Sequence, residues 1–173
     1  MVVLRTVTPE QKEVLWNLLQ KYLYEMSRFY DDSIGPDGNF PYQYFDCYFT
    51  QRGRQAYLIE RAGTVVGFAM LNAHSYLGRA VDHVLAEFTI FPGYRRNGCA
   101  RQVVQLILDT RPGRWELKYA QKNSGARALW LAATQPYAPE RIRLGGGEEV
   151  LAFTVPCVAR GVTPAGPAPA GPS

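Results

Sequence analysis

Glu87-Phe88-Thr89-Ile90-Phe91-Pro92-Gly93-Tyr94-Arg95-Arg96-Asn97-Gly98-Cys99-Ala100 is the stretch on which the reading of this chain turns. Its apolar first half predicts a buried strand. Pro92 cannot donate to a ladder and ends the pairing. A basic loop follows, and Ala100, Val103, Val104, Ile107 and Leu108 mark one face of a helix beyond it. A strand–loop–helix joint gathers unpaired backbone N–H groups and the positive end of a helix dipole at one point, which suits a phosphate. Gly98 lets backbone approach a bulky diphosphate. Ala100 keeps the first helical turn thin, and Arg95 and Arg96 add charge beside the donors.

Outward from this joint the elements follow in order. Val2 to Val7 reads as an opening strand. Thr8-Pro9-Glu10-Gln11 gives a helix start, with Thr as cap, Pro at the first helical position and Gln three residues on. Leu15, Leu18, Leu19, Tyr22, Leu23 and Met26 follow at helical spacing and are expected to face the core. Phe29 to Phe49 mixes aspartates with aromatics, and an irregular second helix is expected from about Tyr42 to Thr50. Gln55 to Glu60 and Thr64 to Asn72 read as a hairpin turning at Arg61-Ala62-Gly63. His83 to Phe91 is the next strand, and Trp115 to Tyr119 another after Pro112-Gly113. Asn123-Ser124 caps a short helix through Leu131, and Val150 to Val155 reads as a further strand. The expected unit is a single domain over residues 1–160. Residues 161–173 are rich in Pro, Ala and Gly and are expected to form a disordered tail.

Composition narrows the function classes. The chain has 173 residues, enough for one sizeable core. No apolar run is long enough to span a bilayer and no secretory leader is visible, so no membrane role is expected. Cys47, Cys99 and Cys157 are odd in number and widely spaced. They argue against a disulfide framework and against a zinc site, and they fit a cytoplasmic location. With only two histidines in the chain, no metal is expected. The net charge of +4 is carried mostly by arginine, without a lysine run or a basic helix stripe, so nucleic acid is not an expected partner.

The run Ile90-Phe91-Pro92-Gly93-Tyr94-Arg95-x-x-Gly98-x-Ala100 resembles the pyrophosphate-binding signature of the GNAT superfamily of N-acetyltransferases. The element order from about Met1 to Val155 is similar to that family's as well. The resemblance implies an α+β fold, a mixed, mostly antiparallel central sheet flanked by helices, and acetyl-CoA as donor. It implies that the N–H groups from about Arg96 through Asn97, Gly98 and Cys99 to Ala100 cradle the pyrophosphate of coenzyme A. Phe88, Thr89 and Ile90 would line the pantetheine arm like an added strand, helped by a bulge, with the Phe88 N–H aimed at the thioester oxygen. A second place, Leu117-x-Tyr119-x-x-x-Asn123-x-x-Ala126-x-x-Leu129-Trp130, resembles the family's strand and Asn-capped helix. There Asn123 would cap the helix and contact coenzyme A. The chain departs from the pattern at Trp130, where many members place a Tyr that protonates the leaving thiolate. An indole N–H is no acid. Ala132-Ala133-Thr134 likewise replaces the usual Gly-Phe.

Transfer to nitrogen needs a neutral amine, and a lysine-like amine with a pKa near ~10 is mostly protonated at neutral pH. Glu87 is the candidate base, an acid within the apolar stretch Val84-Leu85-Ala86-Glu87-Phe88. Simple alternation turns it away from Phe88 and Ile90, and a bulge would change that count. The alternative is a structural partner for an arginine. His83 and Glu116 are the next candidates for the base. The acceptor wall is expected from Phe29 to Phe49, where Tyr30, Asp31, Asp32, Asp37 and Tyr44 offer carboxylates and ring faces to a cation. A small-molecule amine such as a polyamine, an aminoglycoside or a basic amino acid would fit. A protein or peptide acceptor and an idle coenzyme A sensor are the competing readings. Monomer and homodimer are both compatible with the sequence.

Overall fold

The computed structural model describes Met1–Cys157. The expected tail at 161–173, and the last residues of the domain expected to end at 160, lie outside the described residues. Seven strands form one sheet: β1 Val2–Thr6, β2 Gln55–Arg61, β3 Thr64–Asn72, β4 His83–Ile90, β5 Gly113–Ala120, β6 Glu140–Arg143 and β7 Glu148–Val155. Their order across the sheet is β1-β2-β3-β4-β5-β7-β6. Four α-helices flank it: α1 Lys12–Met26, α2 Cys47–Thr50, α3 Cys99–Asp109 and α4 Ser124–Thr134. The expected mixed, mostly antiparallel α+β architecture is what forms, with β4 and β5 the one parallel pair in the sheet.

Each face of the sheet buries a separate cluster. Leu15 and Leu19, four residues apart on α1, pack with Phe45, Leu58, Phe68 and Met70 on one face. Complete burial of either leucine stabilises by about 1.5–3 kcal/mol. On the other face Val103, Val104 and Ile107 of α3 cover Ile59, Leu71, Leu85, Ile90 and Leu151. Two expectations about α1 are revised. Its first turn is a 3₁₀ segment, Pro9–Gln11, and Met26 lines cavities instead of the core, while Tyr22 packs edge-on against Phe68 of the core and also reaches the cavities.

The expected second helix is shorter than Tyr42 to Thr50. From Tyr42 to Phe49 the bonds run Phe45 N–H to Tyr42 C=O, Cys47 to Tyr44, Tyr48 to Phe45 and Phe49 to Asp46. These are three-residue turns that tighten the chain around the rings of Phe45 and Tyr48, and only Cys47–Thr50 closes into α-helix. The edge strand β6 is not visible in the sequence, being four residues long and charged at three of them.

Two irregularities create the opening that matters. β4 and β5 pair only at His83, Val84 and Leu85 with Trp115, Glu116 and Leu117, and part beyond that point. On its other edge β4 pairs Glu87 with Met70 but Leu85 with Leu71, which leaves Ala86 as an extra residue, a bulge. Leu85, Phe88 and Ile90 all lie on the α3 face of the sheet. Without the bulge, Glu87 would share the face of Leu85. With it, Glu87 turns to the α1 face.

Gly67 marks the tightest approach between β3 and β4. A Cβ there would lie 2.1 Å from the Thr89 carbonyl oxygen and 3.1 Å from Ile90 Cα. Both are backbone atoms and neither can swing aside. Gly67→Ala should therefore destabilise by about 3 kcal/mol or more. Thermal unfolding reads this as a fall of roughly 6–12 °C. An unchanged melting temperature would contradict the register.

Candidate active site

The parting of β4 from β5 opens a cavity of about 640 Å³, lined by Phe88, Thr89, Ile90, Arg95, Arg96, Ala100, Asn123 and Trp130 among others. A second cavity of about 1000 Å³ lies on the α1 face, walled by the chain from Asp32 to Gln51 and by Tyr76, Glu87, Lys118 and Glu148. The two share Tyr22, Met26, Tyr30, Ala86 and Lys118, so they meet at the bulge.

The first cavity has the donors a diphosphate needs. In the loop before α3, Arg96 and Gly98 take left-handed backbone, with φ of 65° and 79°. Among the described residues no hydrogen bond uses the N–H groups of Arg96, Asn97, Gly98, Ala100 or Arg101. They sit at the N-terminus of the eleven-residue helix α3. Cys99 contributes less than expected. Its N–H already donates to Asn97 Oδ1 at 3.1 Å and its side chain is buried in the core. Arg95 is also otherwise engaged. Its guanidinium holds both carboxylate oxygens of Glu25 at 2.6 and 2.7 Å, and its Nε donates to the Ile90 carbonyl. It fastens the loop to the end of α1, and Arg96 is left as the loop's uncommitted cation. Asn123 caps α4, accepting from the Ala126 N–H at 3.0 Å, while lining the same cavity.

Beyond the bulge, β4 presents a free edge to this cavity. The Phe91 N–H donates to Val66 of β3. Alternation then turns the N–H groups of Phe88 and Ile90 to the unpaired side, as an added pantetheine strand requires. The Thr89 hydroxyl accepts from Arg95 at 3.3 Å and lines the cavity wall. Trp130 packs edge-on against Phe88, ring centroids 5.3 Å apart, and serves as an apolar wall.

Glu87 projects into the second cavity, where Tyr42 Oη donates to its Oε1 at 3.0 Å. Burial pushes its pKa up to about 7, against the pull of the Tyr42 and Tyr22 hydroxyls and the Lys118 ammonium. The surrounding tyrosines stay protonated at neutral pH. Burial and the Glu87 carboxylate raise Tyr42, Tyr76 and Tyr22 well above the ordinary phenol range, and burial raises Tyr30 to about 12.

The other sequence candidates divide. Tyr30, Asp32 and Tyr44 line the α1-side cavity. Asp31 is exposed and stands outside that lining. Asp37 is turned into its own loop, accepting from the Asn39 side chain at 3.0 Å. His83 sits at the far end of β4, its ring against Trp115 and its Nε2 3.3 Å from the Pro112 carbonyl, and neither cavity includes it. Glu116 is 1% exposed and fully employed, accepting from Ser75 Oγ at 2.8 Å and the Tyr76 N–H at 2.7 Å. It anchors the segment that carries Tyr76 into the cavity. Tyr22, Tyr42, Tyr76, Lys118 and Glu148 are site residues the sequence did not single out. Among the described residues no three His, Cys, Asp or Glu side chains gather as a metal site, and no helix is long and apolar enough to cross a membrane.

The family model described as the acetyltransferase (GNAT) family matches residues 15–144. The chain belongs to that family, whose members transfer an acetyl group from acetyl-CoA. A solved acetyltransferase from Thermus thermophilus is similar, with 18% identity and a TM-score of 0.66 over 89% of this chain and 97% of that one. Aminoglycoside acetyltransferase AAC(6')-Ib in complex with coenzyme A matches with 11% identity and a TM-score of 0.64 over 89% and 95%. A ribosomal-protein alanine N-acetyltransferase from Escherichia coli matches with 11% identity and a TM-score of 0.60 over 92% and 97%. At such identities these likenesses show the fold. Comparison with curated proteins gives no match.

Proposed function

We propose that this acetyltransferase is a cytosolic enzyme, monomer or homodimer, that acetylates a primary amine of a cationic small molecule by direct attack on the thioester. The observation that carries the reading is the placement of the Glu87 carboxyl, which lines the α1-side cavity next to Ala86, the bulge residue at which the two cavities meet, and whose pKa burial pushes up to about 7. The amine arrives protonated, and Asp32 and the ring faces of Tyr22, Tyr42 and Tyr76 offer a cation its partners. The amine gives up one proton to solvent to free its lone pair, and Glu87 takes a second as the nitrogen attacks and the C–N bond forms. The free Phe88 N–H is placed to stabilise the charge that builds on the carbonyl oxygen. The N–H groups of Arg96, Asn97, Gly98, Ala100 and Arg101 and the Ile90 edge hold the donor. Its thioester supplies the acetyl carbon, the C–S bond breaks as the C–N bond forms, and the departing thiolate takes its proton from solvent. Side chains between Asp32 and Gln51 wall one side of the acceptor cavity, and a bounded cavity of about 1000 Å³ suits a small molecule.

The test is release of free coenzyme A thiol from acetyl-CoA across a panel of amines, run beside a lysine-containing peptide. Faster release with one or more small cationic amines than with the peptide is expected. Release driven only by the peptide would transfer the reading to a protein acceptor.

A further inference from the structure

One cation in the acceptor cavity has no part in the proposed chemistry. Arg54, between α2 and β2, lies on the cavity wall. Its guanidinium carbon stands 5.2 Å from the ring centroid of Tyr44 and 5.4 Å from that of Tyr48. Two ring faces hold the plane of the group and strip part of its water. Its Nε donates to Gln51 Oε1 at 2.9 Å. Among the described residues no carboxylate pairs with it, and its terminal nitrogens have no hydrogen-bond partner. It is therefore an oriented, unpaired fork opening on a substrate cavity.

The other charges of the cavity set the contrast. Lys118 is taken by Glu148 at 2.7 Å. Asp32 and Glu87 line the same cavity and, with Lys118 neutralised by Glu148, are its acidic side chains. Tyr42 holds the Glu87 carboxyl, Tyr48 lies beneath the Arg54 guanidinium, and Glu87 and Arg54 line the same cavity. A polyamine or an aminoglycoside would satisfy the acidic side chains but would set more positive charge against Arg54. A molecule carrying amines at one end and a carboxylate at the other satisfies both. A single fork matches one carboxylate in two parallel bonds, whereas a phosphate dianion would leave a second charge facing Asp32 and Glu87.

We propose that the acceptor is a basic amino acid by class, its reacting amine at Glu87 and its carboxylate in the fork of Arg54. This rests on the acetyl-transfer reading above. The experiment compares lysine with cadaverine and ornithine with putrescine, pairs that differ only by the carboxylate, with lysine methyl ester as a neutral control. Thiol release by the full chain is the readout. Each amino acid should exceed its diamine in kcat/KM by about tenfold or more, and the ester should behave as the diamine does. Arg54→Gln should reduce the lysine-to-cadaverine ratio by about tenfold, chiefly through the KM for lysine, and Arg54→Lys should restore part of it. An acetyl-CoA-induced rise in melting temperature verifies that each variant is folded and loads its donor. Equal use of diamines and amino acids, or a ratio that survives Arg54→Gln, would overturn the assignment and leave acetyl transfer standing. No turnover of any acceptor would remove the transfer reading and this inference together.

Discussion

Glu87→Gln is expected to lower kcat/KM by roughly 10²–10⁴-fold, the range general-base catalysis supplies, with the loss in kcat rather than KM. Glutamine keeps the shape and can still accept from the Tyr42 hydroxyl, but it cannot take a proton. The pH profile gives a second readout. With a pKa near 7, the wild-type carboxyl is protonated in acid, so kcat should rise as pH climbs through about 7. That limb should vanish in the variant. Stability supplies a third. A carboxyl whose folded pKa is raised from 4.5 to about 7 binds its proton more tightly folded than unfolded. Wild-type stability therefore falls as pH rises between those values and stays low above them. Glutamine carries no such penalty. Relative to wild type, Glu87→Gln should gain melting temperature at pH 8 that it does not gain at pH 4. A variant with unchanged kcat and an unchanged pH profile would remove Glu87 as the base.

Gly98→Leu is expected to separate folding from donor binding. Gly98 has φ 79° at the N-terminus of α3, and a Cβ there would meet no protein atom within 4 Å. Left-handed backbone costs a non-glycine residue about 1–2 kcal/mol, which the fold should survive. The added side chain stands among the free N–H groups of Arg96, Asn97, Ala100 and Arg101 and keeps a diphosphate from closing on the backbone. In the wild type, acetyl-CoA at a hundredfold excess over its Kd stabilises by about 2.7 kcal/mol. For a domain of this size that is a rise of roughly 5–11 °C in melting temperature. The variant should melt cooperatively and lose that rise. A retained shift would place the pyrophosphate elsewhere.

Most of the fold was legible because its signals are local. The Gln55 to Asn72 hairpin announces itself by two apolar runs and the turn Arg61-Ala62-Gly63 between them, and Ala100 to Leu108 by a helical stripe. The loop before α3 was legible for the same reason, since free backbone N–H groups at a strand-to-helix joint need only turn residues in the right order. The acceptor side was not. Tyr42, Tyr76, Lys118, Glu148 and Arg54 come from five separate segments, and only tertiary packing brings them to one cavity. Glu87 shows the limit most sharply. Its residue type suggested a base, but its facing depends on Ala86, an alanine like any other in a strand until the register with Met70 and Leu71 is known. Arg95 is the converse case. Its charge invites a phosphate contact in the sequence, and only the end of α1, seventy residues earlier, shows that Glu25 has taken it.

The central claim is that the acetyl group passes to nitrogen in the space between β4 and the α1-side cavity. Mass spectrometry of the amine after incubation with acetyl-CoA and the wild-type chain tests it most directly. The expected result is an amine heavier by one acetyl group, formed in step with free coenzyme A and greatly slowed by Glu87→Gln. Free coenzyme A with acetate and no acetylated amine would contradict it.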